Sequence, residues 1–426
     1  MVYRAKIFAI SFRFLSNIAS PNVRERIVVD GKTFITDGST NITTKINEKV
    51  GVNLHNKKYH PIQRIKEKIV SYLHSTNRSR GRPVYSLFDN LSPVVTTFQN
   101  FDSLLIPKDH PARKQRDNYY INEDIMLRAH TSAHQAELIK AGLDAFLIAG
   151  DVYRRDEIDS THYPVFHQFE AVRLYDSYNL VSNISEFPLF TGTKDDITLR
   201  PDSHQLCYSL DATTILEYRM KAVLLKLMTH LFGNSTNVRW VPAYFPFTHP
   251  SWEMEINFGD EWLEVLGCGI VEHRLLANSG AGDKIGYAFG LGLERLAMIL
   301  HSIEDIRLFW SKDERFLQQF RTDDLDAKIT FVPFSSCNPL YNDMSFWITG
   351  DFDANDFFDI IRSFAGDLIE SVKLFDEFTH PKTGRHSRTY RLVFRHNERV
   401  LAQNEITPIV KSIEEVLVKR FGIVMR

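Results

Sequence analysis

Two groups of residues in this chain have the charge and spacing to act on an anionic substrate. The first is the polar segment 154–164, which carries Arg154, Arg155, Asp156, Glu157, Asp159 and His162 between two apolar runs of strand length, 146–152 and 165–175. Neighbouring strand residues face opposite sides, so Gln168 and Glu170 share a face with Phe166, Val172 and Leu174. Two polar side chains on an apolar face need partners, since a buried unpaired polar group costs about 1–3 kcal/mol. A ligand carrying an ammonium group would serve, and so would neighbouring strands or water. The second group is Arg295, just after the glycine-rich run 286–292. That stretch reads as strand, tight glycine turn and helix, with Leu293, Leu296, Ala297 and Leu300 as the buried stripe. A cation on the first helical turn opposes the helix dipole, which calls for an anion beside it: a phosphate or a plain surface carboxylate. The glycines fit neither GxGxxG nor GxxxxGK[ST], which excludes the Rossmann and P-loop readings.

Other stretches could complete such a site. Phe245 and Phe247 lie two apart in the extended segment 240–256 and face one side. Core packing is the usual fate of Phe; a pocket wall is the alternative. The run Leu127-Arg128-Ala129-His130-Thr131-Ser132-Ala133-His134-Gln135 precedes a predicted helix, 134–141, which Thr131 or Ser132 could cap. Free N–H groups at such a helix start also attract anions. Glu264 sits in a predicted strand, 262–269, ending in a glycine-rich bend.

The elements that must hold these residues are spread over 426 positions, enough for two to four domains. The net charge of −2 requires that any nucleic-acid contact come from local patches. Cys207, Cys268 and Cys337 are too far apart to define a metal site or disulfide framework. No apolar run is long enough to span a bilayer, and no membrane partner is expected. Residues 1–24 contain Arg4, Lys6, Arg13 and Arg24, several serines and no acid, which suits a mitochondrial targeting segment. Pro61 opens a helix with the stripe Ile62, Ile65, Ile69 and Leu73. Around it, Lys57, Lys58, Arg64, Lys66, Lys68, Arg78, Arg80 and Arg82 face only Glu67, as a solvated face or as phosphate contacts. A further helix is predicted at 211–232, then a linker at 323–328. The remainder reads strand (345–348), helix (355–370), strand (372–378), strand (387–394), helix (408–421), with Thr407-Pro408 as its start and Gly422 as its end. This is a ferredoxin-like order. Arg385, Arg388, Arg391 and Arg395 crowd one hairpin with Tyr390 and Phe394, a composition suited to single-stranded RNA or to a solvated strand face.

Arg154-Arg155-Asp156, Thr161-His162 and Phe166-His167-Gln168-Phe169-Glu170 together resemble motif 2 of the class II aminoacyl-tRNA synthetases, in the form found in phenylalanyl-tRNA synthetases. Gly290-Leu291-Gly292-Leu293-Glu294-Arg295 resembles motif 3. Asp156 stands where Glu is usual, which shortens the arm and keeps the charge. The resemblance extends from about His60 to the C-terminus, with the motifs in the family's order, and is closest to the single-chain mitochondrial form. It implies an α+β fold: a class II synthetase antiparallel sheet flanked by helices, plus a C-terminal ferredoxin-like anticodon-binding domain. The implied division is a targeting segment 1–24, a catalytic domain 25–325 and an anticodon-binding domain 326–426.

The implied reaction activates L-phenylalanine with ATP and Mg²⁺ and transfers it to tRNA(Phe) in the mitochondrial matrix, by a monomer. Carried over residue by residue, the resemblance makes Arg154 and Arg295 catalytic, on the α- and γ-phosphates. Asp156, Thr161, His162, Tyr163 and Glu264 join them around ATP, with Glu264 also toward the metal. His130, Ser132, Ala133, His134, Gln135, Gln168, Glu170, Phe245, Phe247, Ala288 and Phe289 surround phenylalanine. Arg385, Arg388, Arg391 and Arg395 contact tRNA. Two other readings stay open at this level: a synthetase-like RNA-binding regulator without catalysis, and a class II ligase for another small acid.

Overall fold

The computed structural model of the protein describes residues 25–181, 187–192, 201, 203–258, 261–334, 337–350 and 352–426. The segment 1–24, expected to be a targeting segment, lies outside them. The main sheet has seven strands: β1 (Ser86–Phe88), β2 (Ala145–Tyr153), β3 (Val165–Tyr175), β4 (Val238–Phe245), β5 (Thr248–Phe258), β6 (Glu261–Val271) and β7 (Ile285–Gly292). Their spatial order is β4-β5-β6-β7-β3-β2-β1. Every neighbouring pair is antiparallel except β1 with β2, an added parallel edge. The apolar runs on either side of the polar segment are thus the adjacent strands β2 and β3.

Alternation sorts the sheet's two faces. Leu147, Ala149, Phe169, Ala171, Tyr287 and Phe289 enter one core, where the helices α1 (Pro61–Thr76), α3 (Leu210–Phe232) and α4 (Leu293–His301) pack together. Phe146, Ile148, Val172, Leu174 and Ala288 face the other side, toward the short helix α2 (Gln135–Lys140). Helix α1 starts as its sequence predicts: Pro61 is first, and the Nδ1 of His60 accepts the Ile62 N–H at 3.3 Å. Its basic residues divide. Arg64 donates to the carbonyls of Thr322 and Asp324, and Lys66 to Asn56 and Asp89, so both are buried fixtures. Arg78 and Arg82 lie on a small exposed hairpin turned by Arg80 and Gly81.

Two glycine expectations are corrected. Gly267 and Gly269 form no bend but lie within continuous β6, and 286–292 is one strand that enters α4 without a separate turn. Pairing on both edges holds Gly267, Gly269 and Gly290 extended, and pairing with β3 alone holds Gly286 and Gly292.

The C-terminal unit comprises β8 (Leu340–Trp347), α5 (Ala354–Ala365), β9 (Ile369–Thr379), β10 (His386–Phe394), α6 (Gln403–Phe421) and β11 (Val424–Met425), with sheet order β9-β10-β8-β11. This is the ferredoxin-like arrangement, and it has its own apolar core. Helix α6 begins at Gln403 rather than at Pro408, because the Glu405 carboxylate accepts the Ala402 N–H at 2.9 Å and pairs with Arg399 at 2.6 Å. Gly422 ends it in the left-handed region, φ 60°.

This unit is docked on the polar segment between β2 and β3. Arg155 spans Asp356 and Asp359, each at 2.6 Å. Arg362 donates to the carbonyls of Asp156 and Glu157. The N–H of Val372 reaches the Ile158 carbonyl at 2.9 Å, and Ile158 itself is buried in the C-terminal core.

Candidate active site

A cavity of about 450 Å³ opens on the α2 side of the main sheet, lined by residues of β3, β6 and β7 and by the turn between β4 and β5. Register fixes its floor: Ala288 of β7 lies between Val172 of β3 and Gly269 of β6. Gln168 and Glu170 reach it from β3, beside His130, Ser132 and Gln135.

Glu170 is the centre of a donor cluster. Its Oε2 accepts the hydroxyls of Thr131 at 2.9 Å and Ser132 at 2.6 Å, and its Oε1 accepts the Gln135 amide at 2.5 Å. Burial pushes the carboxyl above its usual range, while the Ser132, Gln135 and Thr131 donors pull against that shift. The two hydroxyls therefore serve Glu170 instead of capping a helix. α2 starts at Gln135, after a 3₁₀ turn, with no side-chain cap. Gln168 Oε1 accepts the Thr131 N–H at 3.2 Å. The carboxylate at its centre is complementary to an ammonium group, which can only donate.

The aromatic wall stands opposite. Phe245 and Phe247 stack at 6.1 Å, and Phe247 stacks on His130 at 6.3 Å. Burial, with the nearby Arg154 cation as the second cause, pushes the His130 imidazole down to about 3, so it is neutral at physiological pH. Phe245 rests on Gly267, where an added Cβ would come within 2.9 Å of the ring. Only a residue without a side chain lets the ring sit there.

Arg154 enters at the end of β2. Its Nε donates to the Ala129 carbonyl at 2.8 Å and its guanidinium lies 5.3 Å from the Phe166 ring centre. Its terminal nitrogens have no hydrogen-bond partner among the described residues. Burial lowers its pKa, and Asp156 and Glu264 oppose the shift. Arg295 stands on the first turn of α4, 47% exposed, with Nη1 3.0 Å from the Glu264 carbonyl and 3.9 Å from its carboxylate. Glu264 lines the cavity and is itself half exposed. Burial raises the Glu253 carboxyl, and the Glu264 and Glu255 charges add to that.

Several residues expected at the site lie elsewhere. His134 is held by Arg128 at 3.0 Å and Glu137 at 2.7 Å, and Ala133 packs in the core; neither lines the cavity. Phe289 puts its ring into the opposite core, so it meets the cavity through its backbone. Thr161 and His162 turn onto Asp159, at 2.9 and 2.8 Å. Tyr163 stacks on Trp310 at 5.8 Å and donates to Asp367 at 2.6 Å, at the seam with the C-terminal unit. The Asp156 carboxylate accepts the Glu157 N–H and lies outside the cavity lining. Sequence reasoning did not select Gly267, Phe101 or Ile106, which line the cavity, or Glu253, which lies near Glu264 outside the lining. The spacing of Gly267 and Gly269 was the available signal, and it read as a bend.

The four C-terminal arginines also divide. Arg391 pairs with Asp343 at 2.7 Å and lies over Phe375 at 4.0 Å, and Arg385 lies over Trp347 at 4.8 Å. Both are on the sheet face that the helices leave open. Arg388 sits in register with buried Phe346 on the helix side, bound to Glu377 at 2.6 Å. Arg395 pairs with Glu370 at 2.8 Å, and its carbonyl accepts from Arg307, at the seam between the units.

A mainly antiparallel sheet that brings Arg154 from a strand–loop–strand segment into the cavity, and holds Arg295 of a strand–helix junction outside its lining against Glu264, is the core of a class II aminoacyl-tRNA synthetase. Residues 39–187 and 188–320 match the family described as "tRNA synthetases class II core domain (F)", and residues 335–426 match "Ferredoxin-fold anticodon binding domain". The chain is 52% identical over 402 residues to "Phenylalanine--tRNA ligase, mitochondrial" of Mus musculus, covering 92% of this chain and 87% of that protein. It is 49% identical over 425 residues to "Probable phenylalanine--tRNA ligase, mitochondrial" of Drosophila melanogaster, covering 96% and 94%. For "Phenylalanine--tRNA ligase, mitochondrial" of Saccharomyces cerevisiae the figures are 38% over 471 residues, covering 97% of each. The chain belongs to the phenylalanine–tRNA ligase family of class II synthetases.

Proposed function

We propose that this chain joins L-phenylalanine to ATP as phenylalanyl-adenylate, with release of pyrophosphate, and passes the phenylalanyl group to tRNA(Phe) in the mitochondrial matrix. The observation that carries the amino-acid assignment is the pairing of the Glu170 donor cluster with the Phe245–Phe247 stack across one cavity. The carboxylate takes the ammonium, and the rings wall the phenyl group. Edge and face contacts favour an aromatic ligand by roughly 0.5–1.5 kcal/mol per pair beyond burial. Ala288 sets the depth of the pocket, and His130, Ser132, Gln135 and Gln168 orient the amino acid.

Arg154, fixed by Ala129 and Phe166, takes the α-phosphate; Arg295 takes the γ-phosphate. Catalysis comes from orienting the two reactants and from preorganised cations where charge develops. The carboxylate oxygen of phenylalanine attacks the α-phosphorus and the bond to pyrophosphate breaks. Mg²⁺ bound with ATP neutralises phosphate charge. Glu264 and Glu253, whose mutual repulsion a cation would relieve, fit a metal held mostly by phosphate oxygens. No group of three or more His, Cys, Asp or Glu able to hold a metal occurs among the described residues.

Residues 326–426 act as the anticodon-binding domain, through Arg385 and Arg391 on the open sheet face, and 25–325 as the catalytic domain of a monomer. Among the described residues no helix is long and apolar enough to cross a membrane. ATP–pyrophosphate exchange with a panel of amino acids tests the reading. Exchange dependent on phenylalanine, followed by charging of tRNA(Phe), is the expected result. Absence of exchange would favour a non-catalytic RNA-binding protein, and exchange with another amino acid a different ligase.

A further inference from the structure

We propose that Glu294 and His167 form a positioning pair that sets the spacing between the two halves of the active site. The inference rests on the site reading above and assigns a role to residues that reading leaves unused. The adenylating site draws Gln168 and Glu170 from β3 and Arg295 from α4. Glu294 directly precedes Arg295, and His167 directly precedes Gln168. Whatever fixes Glu294 to His167 fixes the phosphate end of the site to the amino-acid end.

The contact is bidentate and buried. Glu294 Oε2 accepts the main-chain N–H of His167 at 2.8 Å, and Oε1 accepts the ring Nδ1–H at 2.6 Å. The side chains are 3% and 0% exposed. Topology explains the need. β7 pairs with β3 until Gly292 faces Gln168, and then the chain turns into α4. One residue further along β3, at His167, the strand partner has gone. The Glu294 carboxylate takes its place, so a helix residue continues the ladder. Gly292, the residue before the helix, gives it no side-chain cap, so Glu294 is the side-chain tie from this first turn to β3.

The His167 ring is fixed on its other sides as well. It lies 5.2 Å from the His55 ring and stacks on Trp310 at 6.1 Å. Glu294 thus grips a ring that cannot follow it, and the helix start must stay in place. A displacement of about 1 Å at a reacting group is enough to lower a rate about 10²-fold.

The test compares Glu294→Ala, Glu294→Gln, His167→Asn and Arg295→Ala in phenylalanine-dependent ATP–pyrophosphate exchange, with thermal melting and tRNA binding as measures of folding. Glu294→Ala should lower kcat about 10²-fold while KM for ATP and phenylalanine changes less than about fivefold, because the binding groups remain and only their alignment is lost. Glu294→Gln keeps an oxygen for the main-chain N–H and should recover at least tenfold of that loss. His167→Asn combined with Glu294→Ala should be no worse than Glu294→Ala alone, since the two act as one unit. A folded Glu294→Ala protein within threefold of the parent kcat would overturn the proposal, as would a loss that appears only in KM. If Glu294→Ala does not fold, His167→Asn decides: a fall in kcat of about threefold or more supports the pair, and a smaller change refutes it. Arg295→Ala separates this outcome from the underlying reading. Full exchange in that variant would mean that the site assignment itself is wrong, whatever Glu294 does.

Discussion

At the scale of single residues, the polar groups of the site are set by the partners that hold them. Glu170 is the clearest case, with three donors converging on two oxygens. Glu170→Gln replaces one acceptor oxygen by a donor and removes the charge that meets the ammonium. A hydrogen bond to a charged group is worth about 1.5–3 kcal/mol, so KM for phenylalanine should rise roughly 10- to 100-fold, as read in exchange kinetics. Arg154→Ala and Arg295→Ala each remove a preorganised cation, and kcat for exchange should drop about 10²–10³-fold with tRNA binding retained. Gly267→Ala acts from beneath the pocket. Its Cβ would press on Phe245, and overpacking of this kind costs about 1–3 kcal/mol. The variant should melt lower and bind phenylalanine more weakly. An unchanged phenylalanine KM would remove Phe245 from the pocket wall.

At the scale of elements, the face a strand presents decides what its side chains can meet. On the C-terminal sheet Arg388, Arg391 and Arg395 each have an ion-pair partner, and placement separates them: Arg385 and Arg391 are on the open face, Arg388 is on the helix side and Arg395 at the seam between the units. Replacing Arg385 and Arg391 by Ala should weaken tRNA binding and flatten its logarithmic salt dependence by about 0.7–0.9 per lost phosphate contact. The same change at Arg388 and Arg395 should leave the slope unaltered. The start of α1 depends on a neutral imidazole. His60 donates Nε2–H to the Phe309 carbonyl at 2.9 Å while Nδ1 accepts from Ile62, which fixes the neutral ring. Burial pushes His60 down to about 3, and nearby His55 down to about 4. Unfolded histidine takes up its proton near pH 6.5, so the unfolded chain binds more protons below that value. The stability these rings contribute is whole above about pH 6.5 and is lost as pH falls toward 4 and then 3. Urea melts should show a falling midpoint across that window, and His60→Asn should make the slope shallower by about 1.4 kcal/mol per pH unit.

At the scale of the whole molecule, two units with separate cores meet along the polar segment that also delivers Arg154. Arg155 is the buried tie between them, and Asp359 also takes the Tyr119 hydroxyl at 2.8 Å. Arg155→Ala leaves Asp359 buried without its cation, a change that costs about 3–5 kcal/mol. The docked arrangement should loosen. Heating should then resolve two transitions in place of one, and a protease should cut the connection 321–334 faster. A single unchanged transition would show that the other seam contacts suffice.

The sequence alone determined the parts whose signal is local. Alternation located β2 and β3, the Pro61 start and its stripe located α1, and the order of elements after residue 340 gave the ferredoxin-like unit, because neighbours along the chain set these periodicities. It also brought Gln168 and Glu170 to one face, since residues two apart in a strand share a side. Phe245 and Phe247 share a wall for another reason: the expected extended segment 240–256 is two strands, and Phe247 lies in the turn between β4 and β5. Alternation even puts Arg388 and Arg391 on opposite faces. Which of those faces is open depends on where α5 and α6 pack. Tertiary structure likewise decided that Thr131 and Ser132 serve Glu170, 39 and 38 residues away, and that Tyr163 belongs to Asp367, 204 residues away. A hydroxyl near a helix start has a local partner and a distant one of similar strength. Only the folded register, which buries a carboxylate beside it, chooses between them.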